Sequence, residues 1–243
     1  AQVSGGIMIS GEQARGLSLA SVAGENTGEI ATLISGDVIS IGPAARAFDV
    51  EVKAEKQSGA VSMLVGGDVI AAGFSSEGGQ FDISATDQAA PVSIGVGGSV
   101  RIRSTGTNAS GLALDLDSAQ LSGPVTLDVG GGVFAGGAGS VGSRLSLTSS
   151  AELSEKAVEV TVQDWVGVTS RRATGVAVEL TNANSTGSTA VSVGGDASRL
   201  GGVFVDGNSS TGIDVKSVSA SGDTGAIDTR VTGDLVIEGT QAT

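Results

Sequence analysis

The segment Val-Ser-Met-Leu-Val-Gly-Gly-Asp-Val at residues 61–69 recurs as Val-Ser-Ile-Gly-Val-Gly-Gly-Ser-Val at residues 92–100 and as Val-Thr-Leu-Asp-Val-Gly-Gly-Gly-Val at residues 125–133. In its first five positions, apolar and mostly β-branched residues recur at every second position, which is typical of a β-strand. The alternation stops at a glycine turn, and another apolar residue follows the turn. Each segment therefore predicts a short strand, a tight turn and the start of a second strand.

The glycine turn occurs eight times at nearly constant spacing. Its fourth residue stands at positions 6, 37, 68, 99, 132, 165, 196 and 234, so consecutive copies are 31 to 38 residues apart. An apolar-x-apolar pattern has the same period, at Leu17/Leu19, Phe48/Val50, Phe81/Ile83, Leu112/Leu114, Leu145/Leu147, Val176/Val178 and Ile213/Val215. One repeat therefore consists of three short strands joined by turns rich in Gly, Ser, Asp and Asn.

A repeat of about 31 residues cannot bury its apolar face alone and has to stack on its neighbours. The sequence predicts an all-β single domain over residues 1–243, a right-handed parallel β-helix of about eight coils with three short strands each. A β-sandwich would not need the same unit eight times, and a propeller blade needs four strands. We expect two inward ladders, one of Val61, Val92, Val125 and Val158 and one of Phe48, Phe81, Leu112 and Leu145.

Composition excludes several function classes. The chain of 243 residues has no His and no Cys, which removes thiolate nucleophiles, disulfides, the usual proton shuttle and the commonest zinc ligands. A net charge of −13 argues against nucleic acid or an anionic membrane as a partner. No stretch approaches the roughly 20 consecutive apolar residues of a membrane-spanning helix. We therefore expect neither nucleic-acid binding nor membrane insertion.

Carboxylates recur at equivalent positions of adjacent coils, at Asp37 and Asp68, at Asp196 and Asp234, and at Asp49 and Asp82. A ladder would place each pair roughly 5 Å apart. Such oxygens could belong to a calcium site, or they could serve as the acid and base of a glycoside hydrolase. Asp also favours tight turns and solvated strand faces, and this is the interpretation we adopt. We accordingly assign no catalytic, cofactor-binding or metal-binding residue, and calcium is the one cofactor that stays open.

Three other features are candidates for binding. Arg101 and Arg103 alternate on a strand, and Arg171-Arg172 follows in a turn one or two coils away, so these cations could dock a polyanion or discourage lateral strand addition. Trp165 replaces a small turn residue, and we expect it to pack against the adjacent turn rather than to stack on a sugar. The largest length expansion is predicted to be a loop at residues 197–212, either a binding loop or simple loop drift.

The repeat at residues 107–133, together with Thr174-Gly-Val-Ala-Val178 and Thr211-Gly-Ile-Asp-Val215, resembles the passenger repeats of bacterial autotransporters and related surface adhesins. The resemblance covers Val3 to Glu238. It implies a right-handed β-helical stalk exported through an outer-membrane pore, and the cysteine-free composition fits passage in an unfolded state. Neither a translocating barrel nor a signal peptide is recognised in the sequence, so we expect a mature passenger or a fragment of a longer stalk.

The sequence thus predicts a non-enzymatic structural or adhesive module of an extracellular protein at a bacterial cell surface, such as a stalk, an adhesin or a matrix component. Its partners would be a host or neighbouring-cell surface, a glycan or a matrix. Two alternatives stay open. One is a subunit that associates end to end into filaments, because both ends of a β-helix expose strand edges. The other is a polysaccharide-degrading enzyme, because many such enzymes are β-helices.

Overall fold

The computed structural model describes residues 1–103, 105–121, 123–149, 156–182, 187–194, 201–220 and 225–243. Over these ranges the chain contains 23 strands and no helix. In chain order the strands are β1 (Gln2–Val3), β2 (Ile7–Ser10), β3 (Arg15–Ala23), β4 (Ile30–Ile34), β5 (Val38–Ile41), β6 (Arg46–Ala54), β7 (Val61–Val65), β8 (Val69–Ala72), β9 (Glu77–Ala89), β10 (Val92–Val96), β11 (Val100–Ile102), β12 (Ser110–Leu121), β13 (Val125–Val129), β14 (Val133–Ala135), β15 (Val141–Ser149), β16 (Lys156–Val162), β17 (Trp165–Val168), β18 (Thr174–Asn182), β19 (Ser188–Val193), β20 (Gly201–Asp206), β21 (Thr211–Ser219), β22 (Ile227–Val231) and β23 (Gly233–Glu238).

The strands form three parallel sheets, in which each strand pairs with its counterparts one coil away. Sheet A has the order β1-β4-β7-β10-β13-β16-β19-β22, and sheet B has the order β2-β5-β8-β11-β14-β17-β20-β23. Sheet C runs from β3 through β6, β9, β12, β15 and β18 to β21. The described strands thus make seven complete coils and two strands of an eighth. The predicted parallel β-helix is confirmed. No helix among the described residues is long and apolar enough to cross a membrane.

The interior of the coil is filled by aliphatic ladders. Val61, Val92, Val125 and Val158 are directly paired across four adjacent strands of sheet A, as predicted. Each is at most 2% exposed. Burying one such side chain stabilises the fold by about 1.5–3 kcal/mol relative to leaving it in water. Because every coil contributes residues to the same ladders, the core extends along the whole described length of the β-helix.

The predicted ladder of Phe48, Phe81, Leu112 and Leu145 is wrong in register. Phe48 pairs with Gly79, and Phe81 pairs with Val50. The observed ladders are Leu17–Phe48–Gly79–Leu112–Ser143–Val176–Ile213 and Leu19–Val50–Phe81–Leu114–Leu145–Val178–Val215. A displacement of two residues keeps a side chain on the same face of a strand, so the apolar pattern alone does not distinguish the two registers.

The corner between sheets A and B, called the A–B corner, is built from the glycine turns. A Cβ on Gly97 would lie 2.7 Å from Gly66 O, and a Cβ on Gly130 would lie 2.7 Å from Gly97 O. Successive turns therefore stack backbone against backbone, and Gly66 N–H and Gly97 N–H each donate to a strand carbonyl one coil earlier. Glycine recurs at this corner because the coils approach too closely for a side chain at these positions.

The corner between sheets B and C, called the B–C corner, contains one left-handed residue in each coil. These residues have φ between 50° and 68° and are Gln13, Ala44, Ser75, Asn108, Gly139, Arg172, Ser209 and Gln241. Only Gly139 among these eight lacks a Cβ, so seven coils hold a non-glycine residue in a conformation that costs roughly 1–2 kcal/mol. The turn shape is therefore imposed by stacking on the neighbouring coils rather than by local preference.

The predicted loop at residues 197–212 is also wrong, because half of this range lies in strands. Residues 201–206 form β20, which pairs with β17 and β23, and Val203 and Val205 are buried in the core. Trp165 pairs with Gly202, and Gly202 pairs with Asp234. The seventh glycine turn is therefore displaced, and the extra residues precede β20 instead of following it. Residues 197–200 of the predicted loop lie outside the described residues.

Candidate functional site

The stacked carboxylates of the A–B corner cap the backbone of the next coil. Asp68 N–H donates to Asp37 Oδ1 at 2.9 Å, and Ser99 N–H donates to Asp68 Oδ1 at 2.7 Å. Gly132 N–H then donates to Ser99 Oγ at 3.1 Å. The predicted stacking of Asp37 above Asp68 is confirmed, and each oxygen bonds an amide that would otherwise lack a protein partner at this turn. We call Asp37, Asp68 and Ser99 the capping ladder.

The second predicted pair, Asp196 with Asp234, does not fit the register. Asp234 lies beside Gly202, whereas Asp196 falls outside the described residues. The error has the same origin as the misplaced loop, because an insertion in the seventh turn displaces the motif that a constant spacing would assign.

The third predicted pair, Asp49 with Asp82, is wrong as well, and a different acidic row takes its place. Asp49 pairs with Gln80, and Glu51 pairs with Asp82, which in turn pairs with Asp115. Glu51, Asp82 and Asp115 thus form three consecutive carboxylates on the outer face of sheet C. The members of this row are 31 and 33 residues apart in the sequence. A shift of two residues keeps a side chain on the same face of a strand, so the sequence pattern did not distinguish this row from the predicted pairing of Asp49 with Asp82.

Each carboxylate of this row has a partner within the protein. Glu51 bonds Lys53, and Asp115 accepts a hydrogen bond from Arg144 Nη2 at 2.8 Å. Gln80 Nε2 donates both to Asp82 Oδ1 at 2.7 Å and to Asp115 Oδ2 at 3.0 Å. The hydrogen bond to Glu51 and its negative charge raise the pKa of the Lys53 ammonium. These partners offset the repulsion of stacked charges.

Arg46 makes the most enclosed charge cluster on this face. Its guanidinium bonds Glu77 and also donates to Asp49 Oδ1 at 3.1 Å, and its side chain is 26% exposed. Burial by itself would lower the pKa of the Arg46 guanidinium. Attraction to Glu77 and Asp49 and the hydrogen bonds to them outweigh this effect, so the pKa is raised. Asp49 is therefore held by Arg46 and, at 3.4 Å, by Arg15. No group of three or more Asp or Glu side chains within the described ranges is arranged to hold a metal ion.

A groove runs along the outer side of sheet C near the carboxyl ends of its strands. It encloses about 560 Å³. Consecutive rungs of one outward row, Ser84, Asp117, Thr148 and Thr181, line it together with small residues of the next row. Three hydroxyl groups and the carboxylate of Asp117 recur at the spacing of adjacent strands, and such a row suits a polymer with polar repeating units. This groove was not predicted from the sequence, because Ser and Thr are too frequent in the chain for a row of them to stand out.

The outer face of sheet B is apolar along most of its length. Its central row, called the sheet-B outer row, consists of Met8, Ile39, Ile70, Arg101, Phe134, Gly167, Phe204 and Val236. In contrast, the corresponding outer rows of sheets A and C contain mainly Ser, Thr, Ala and charged residues. An outward apolar row is unusual for a strand with one face on the core, where polar residues normally face water.

The aromatic residues of this face cover glycines. A Cβ on Gly167 would lie 2.7 Å from the Phe134 ring, and a Cβ on Gly202 would lie 2.7 Å from Trp165 Cζ3. Trp165 was expected to pack against the adjacent turn, and it packs instead over Gly202 in strand β20 of the next coil. Arg101 places its guanidinium carbon 5.5 Å from the centre of the Phe134 ring, and its Nε is 3.6 Å from Asp68 Oδ2.

The remaining predicted cations lie at the B–C corner or next to it. Arg103 follows β11 directly, and Arg171 and Arg172 occupy the turn between β17 and β18. All three side chains are exposed. Arg103 lies two coils away from Arg171 and Arg172. Arg101 forms an ion pair with Asp68, and its guanidinium lies over the Phe134 ring. The structure therefore does not gather the four arginines into one compact basic site.

Comparisons with protein-family models, with curated proteins and with solved structures found no match to this chain.

Proposed function

We propose that this chain is a non-enzymatic structural and adhesive module of an extracellular protein, a β-helical spacer in a cell-surface stalk, an adhesin or a matrix component. The observation that carries the proposal is the continuous backbone ladder, in which every described strand pairs with a counterpart one coil away. Such a solenoid can serve as a rigid spacer, because each coil is stabilised by its nearest neighbours. The cysteine-free sequence and the resemblance to autotransporter passenger repeats also support it.

The charged side chains favour a structural role in the same way. Asp37 and Asp68 accept hydrogen bonds from backbone amides, and Asp49 forms a salt bridge with Arg46. Carboxylates committed to such contacts hold the coil together. For the adhesive part of the proposal, the hydroxyl-lined groove beside sheet C is the surface with the shape and chemistry for a glycan strand of a host surface or matrix.

Attachment assays test the adhesive proposal. Beads coated with the chain should adhere to cells or immobilised matrix glycans, and Thr148→Arg with Thr181→Arg should reduce adhesion because the added side chains fill the groove. Ser62→Arg on the exposed face of sheet A is the matched control and should leave adhesion unchanged. If coated beads adhere no better than bare beads, or if the control variant reduces adhesion as much as the groove variants, the proposed adhesive role is wrong.

A filament subunit is a second candidate, favoured by the apolar residues of the end coils. Leu235 and Ile237 occupy inward rungs of sheet B in the last coil, yet they are 63% and 45% exposed. Val3, Ile7 and Leu17 at the first coil are only partly buried. End-to-end association would continue the core. Electron microscopy of the purified chain should then show filaments that Leu235→Lys abolishes, and the absence of filaments would refute this candidate.

A further inference from the structure

Apolar side chains on the outer face of sheet B are exposed in the first three coils. Met8 is 70% exposed, Ile41 is 41% exposed, and Phe74 at the B–C corner is 57% exposed. Ile39 lies beside Met8 on the adjacent strand and is half-buried, whereas Ile70 on the following strand is only 8% exposed. Phe134 and Phe204 extend the same row along the next coils. Contiguous apolar surface of this kind on a water-facing strand indicates a docking surface.

The size of this face fits a protein partner. Eight strands at a spacing of about 4.8 Å and a width of about four residues give a flat area of roughly 34 Å by 13 Å. With the flanking corners, two such faces packed together would bury on the order of 1,000–1,200 Å², close to the lower limit of specific interfaces. Arg101 does not oppose such burial, because its charge is offset by Asp68 and its guanidinium lies over Phe134.

Charge complementarity at the level of strand β17 favours a second copy as the partner. Among the described residues the A–B corner carries Asp37, Asp68 and Asp164, whereas the B–C corner carries Arg103, Arg171 and Arg172 together with Glu12, Asp206 and Glu238. A two-fold axis parallel to the β-helix places the A–B corner of one copy against the B–C corner of the other. An axis running across the β-helix would instead place acidic corner against acidic corner.

Strand β17 shows this complementarity most directly. Asp164 precedes it at the A–B corner, and Arg171 and Arg172 follow it at the B–C corner. In the parallel arrangement, Asp164 of each copy faces Arg171 and Arg172 of the other at the same level. Glu12 at the B–C corner faces a coil in which Gly6 stands at the A–B corner, and Glu238 opposite Asp234 in the last coil is unfavourable.

From these observations we infer that the outer face of sheet B is a homotypic interface, through which two copies of this chain pair side by side with their β-helices parallel. The inference does not depend on the proposed adhesive function. It differs from the filament candidate, since lateral pairing closes as a dimer around a two-fold axis and end-to-end association does not close.

Sedimentation equilibrium of the intact chain over a concentration series tests the inference. The wild type should show a monomer–dimer equilibrium. Ile41→Glu should weaken dimerisation at least about tenfold, because it buries an unpaired charge in an apolar interface. Val22→Glu is the matched control, because Val22 is 68% exposed on the outer face of sheet C. This variant adds the same charge and should leave the dimer unchanged, and circular dichroism should show that both variants are folded.

Charge reversal tests the orientation without altering the apolar row. Asp164→Arg alone, and Arg171→Asp with Arg172→Asp, should each weaken the dimer, and the triple variant should restore it. A chain that stays monomeric at all concentrations overturns the inference. So do oligomers larger than a dimer that persist in Ile41→Glu, equal effects of Ile41→Glu and Val22→Glu, and a monomer that uses this face to bind glycans or lipid vesicles. Failure of the triple variant to recover overturns the parallel arrangement.

Discussion

The ring of Phe48 occupies the space above Gly79 in the next coil, where a Cβ would lie 1.7 Å from Phe48 Cζ. The same ring packs edge-on against Phe81, with ring centres 5.3 Å apart. One glycine thus makes room for two phenylalanines in a bore that is otherwise lined by aliphatic residues. The two-residue error in the predicted ladder came from this packing, since the missing side chain at Gly79 looks like a gap in the apolar pattern.

Gly79→Ala should therefore lower the free energy of unfolding by about 2–3 kcal/mol through overpacking. Chemical denaturation of Gly79→Ala, Phe48→Ala and the double variant measures the coupling. The double variant should lose less stability than the two single losses combined, because the new methyl enters space vacated by the ring. Gly24→Ala is the control, since a Cβ there meets no atom within 4 Å. Strict additivity would show that Phe48 and Gly79 are not coupled.

Asp68→Ala should cost about 1–2 kcal/mol, because it removes the acceptor for Ser99 N–H and the partner of Arg101. Asp68→Asn keeps an acceptor oxygen and should cost less. Asp128→Ala, at an exposed position on the outer face of sheet A, should change stability by no more than about 0.5 kcal/mol. Thermal unfolding of the three variants makes the comparison. Equal losses for Asp68→Ala and Asp128→Ala would contradict a capping role.

Two buried hydroxyls are opportunities for stabilisation. Thr32 Oγ1 and Thr189 Oγ1 are buried without a hydrogen-bond partner in the described structure. Thr32→Val and Thr189→Val should each raise the free energy of unfolding by about 1 kcal/mol, since an unsatisfied polar group is replaced by a methyl. Thr27→Val should have the opposite effect, because Thr27 Oγ1 accepts the Gly59 N–H at 2.8 Å. Denaturant titration should give opposite signs, and losses in all three variants would refute the explanation.

The left-handed turn at the B–C corner predicts a stabilising glycine. Ala44 is exposed and has φ of 51°. Ala44→Gly should raise the free energy of unfolding by about 0.5–1 kcal/mol, because relief of strain exceeds the entropy that glycine loses on folding. Ala31→Gly, on an exposed strand position, should instead lower it by a similar amount. Melting temperatures of both variants test this, and destabilisation by Ala44→Gly would show that the turn is not strained.

Calcium should leave the melting temperature unchanged. The carboxylates of the acidic row, those of Glu51, Asp82 and Asp115, already bond Lys53, Gln80 and Arg144. A calcium ion would have to displace these partners to collect its six to eight oxygen ligands. Melting curves with added calcium and with a chelator should therefore coincide. A rise in the melting temperature that the chelator reverses would reveal a calcium site and contradict this interpretation.

The sequence by itself determined the architecture. The glycine turns recur at nearly constant spacing, and the two-residue alternation before each turn identifies strands, so a stacked coil is the arrangement that buries every apolar row. The ladder of Val61, Val92, Val125 and Val158 and the stacking of Asp37 on Asp68 were predictable for the same reason.

Register within a strand, the position of the insertion and the surfaces for partners depended on tertiary structure. Phe48 beside Gly79 and Glu51 beside Asp82 are two residues from the predicted pairing, and a shift of two conserves the face of every side chain. The insertion before Gly201 was assigned to the wrong side of a turn because glycine-rich segments resemble one another. The apolar outer face of sheet B emerged only when strands 31 or more residues apart were brought side by side, since its row takes one residue from each coil.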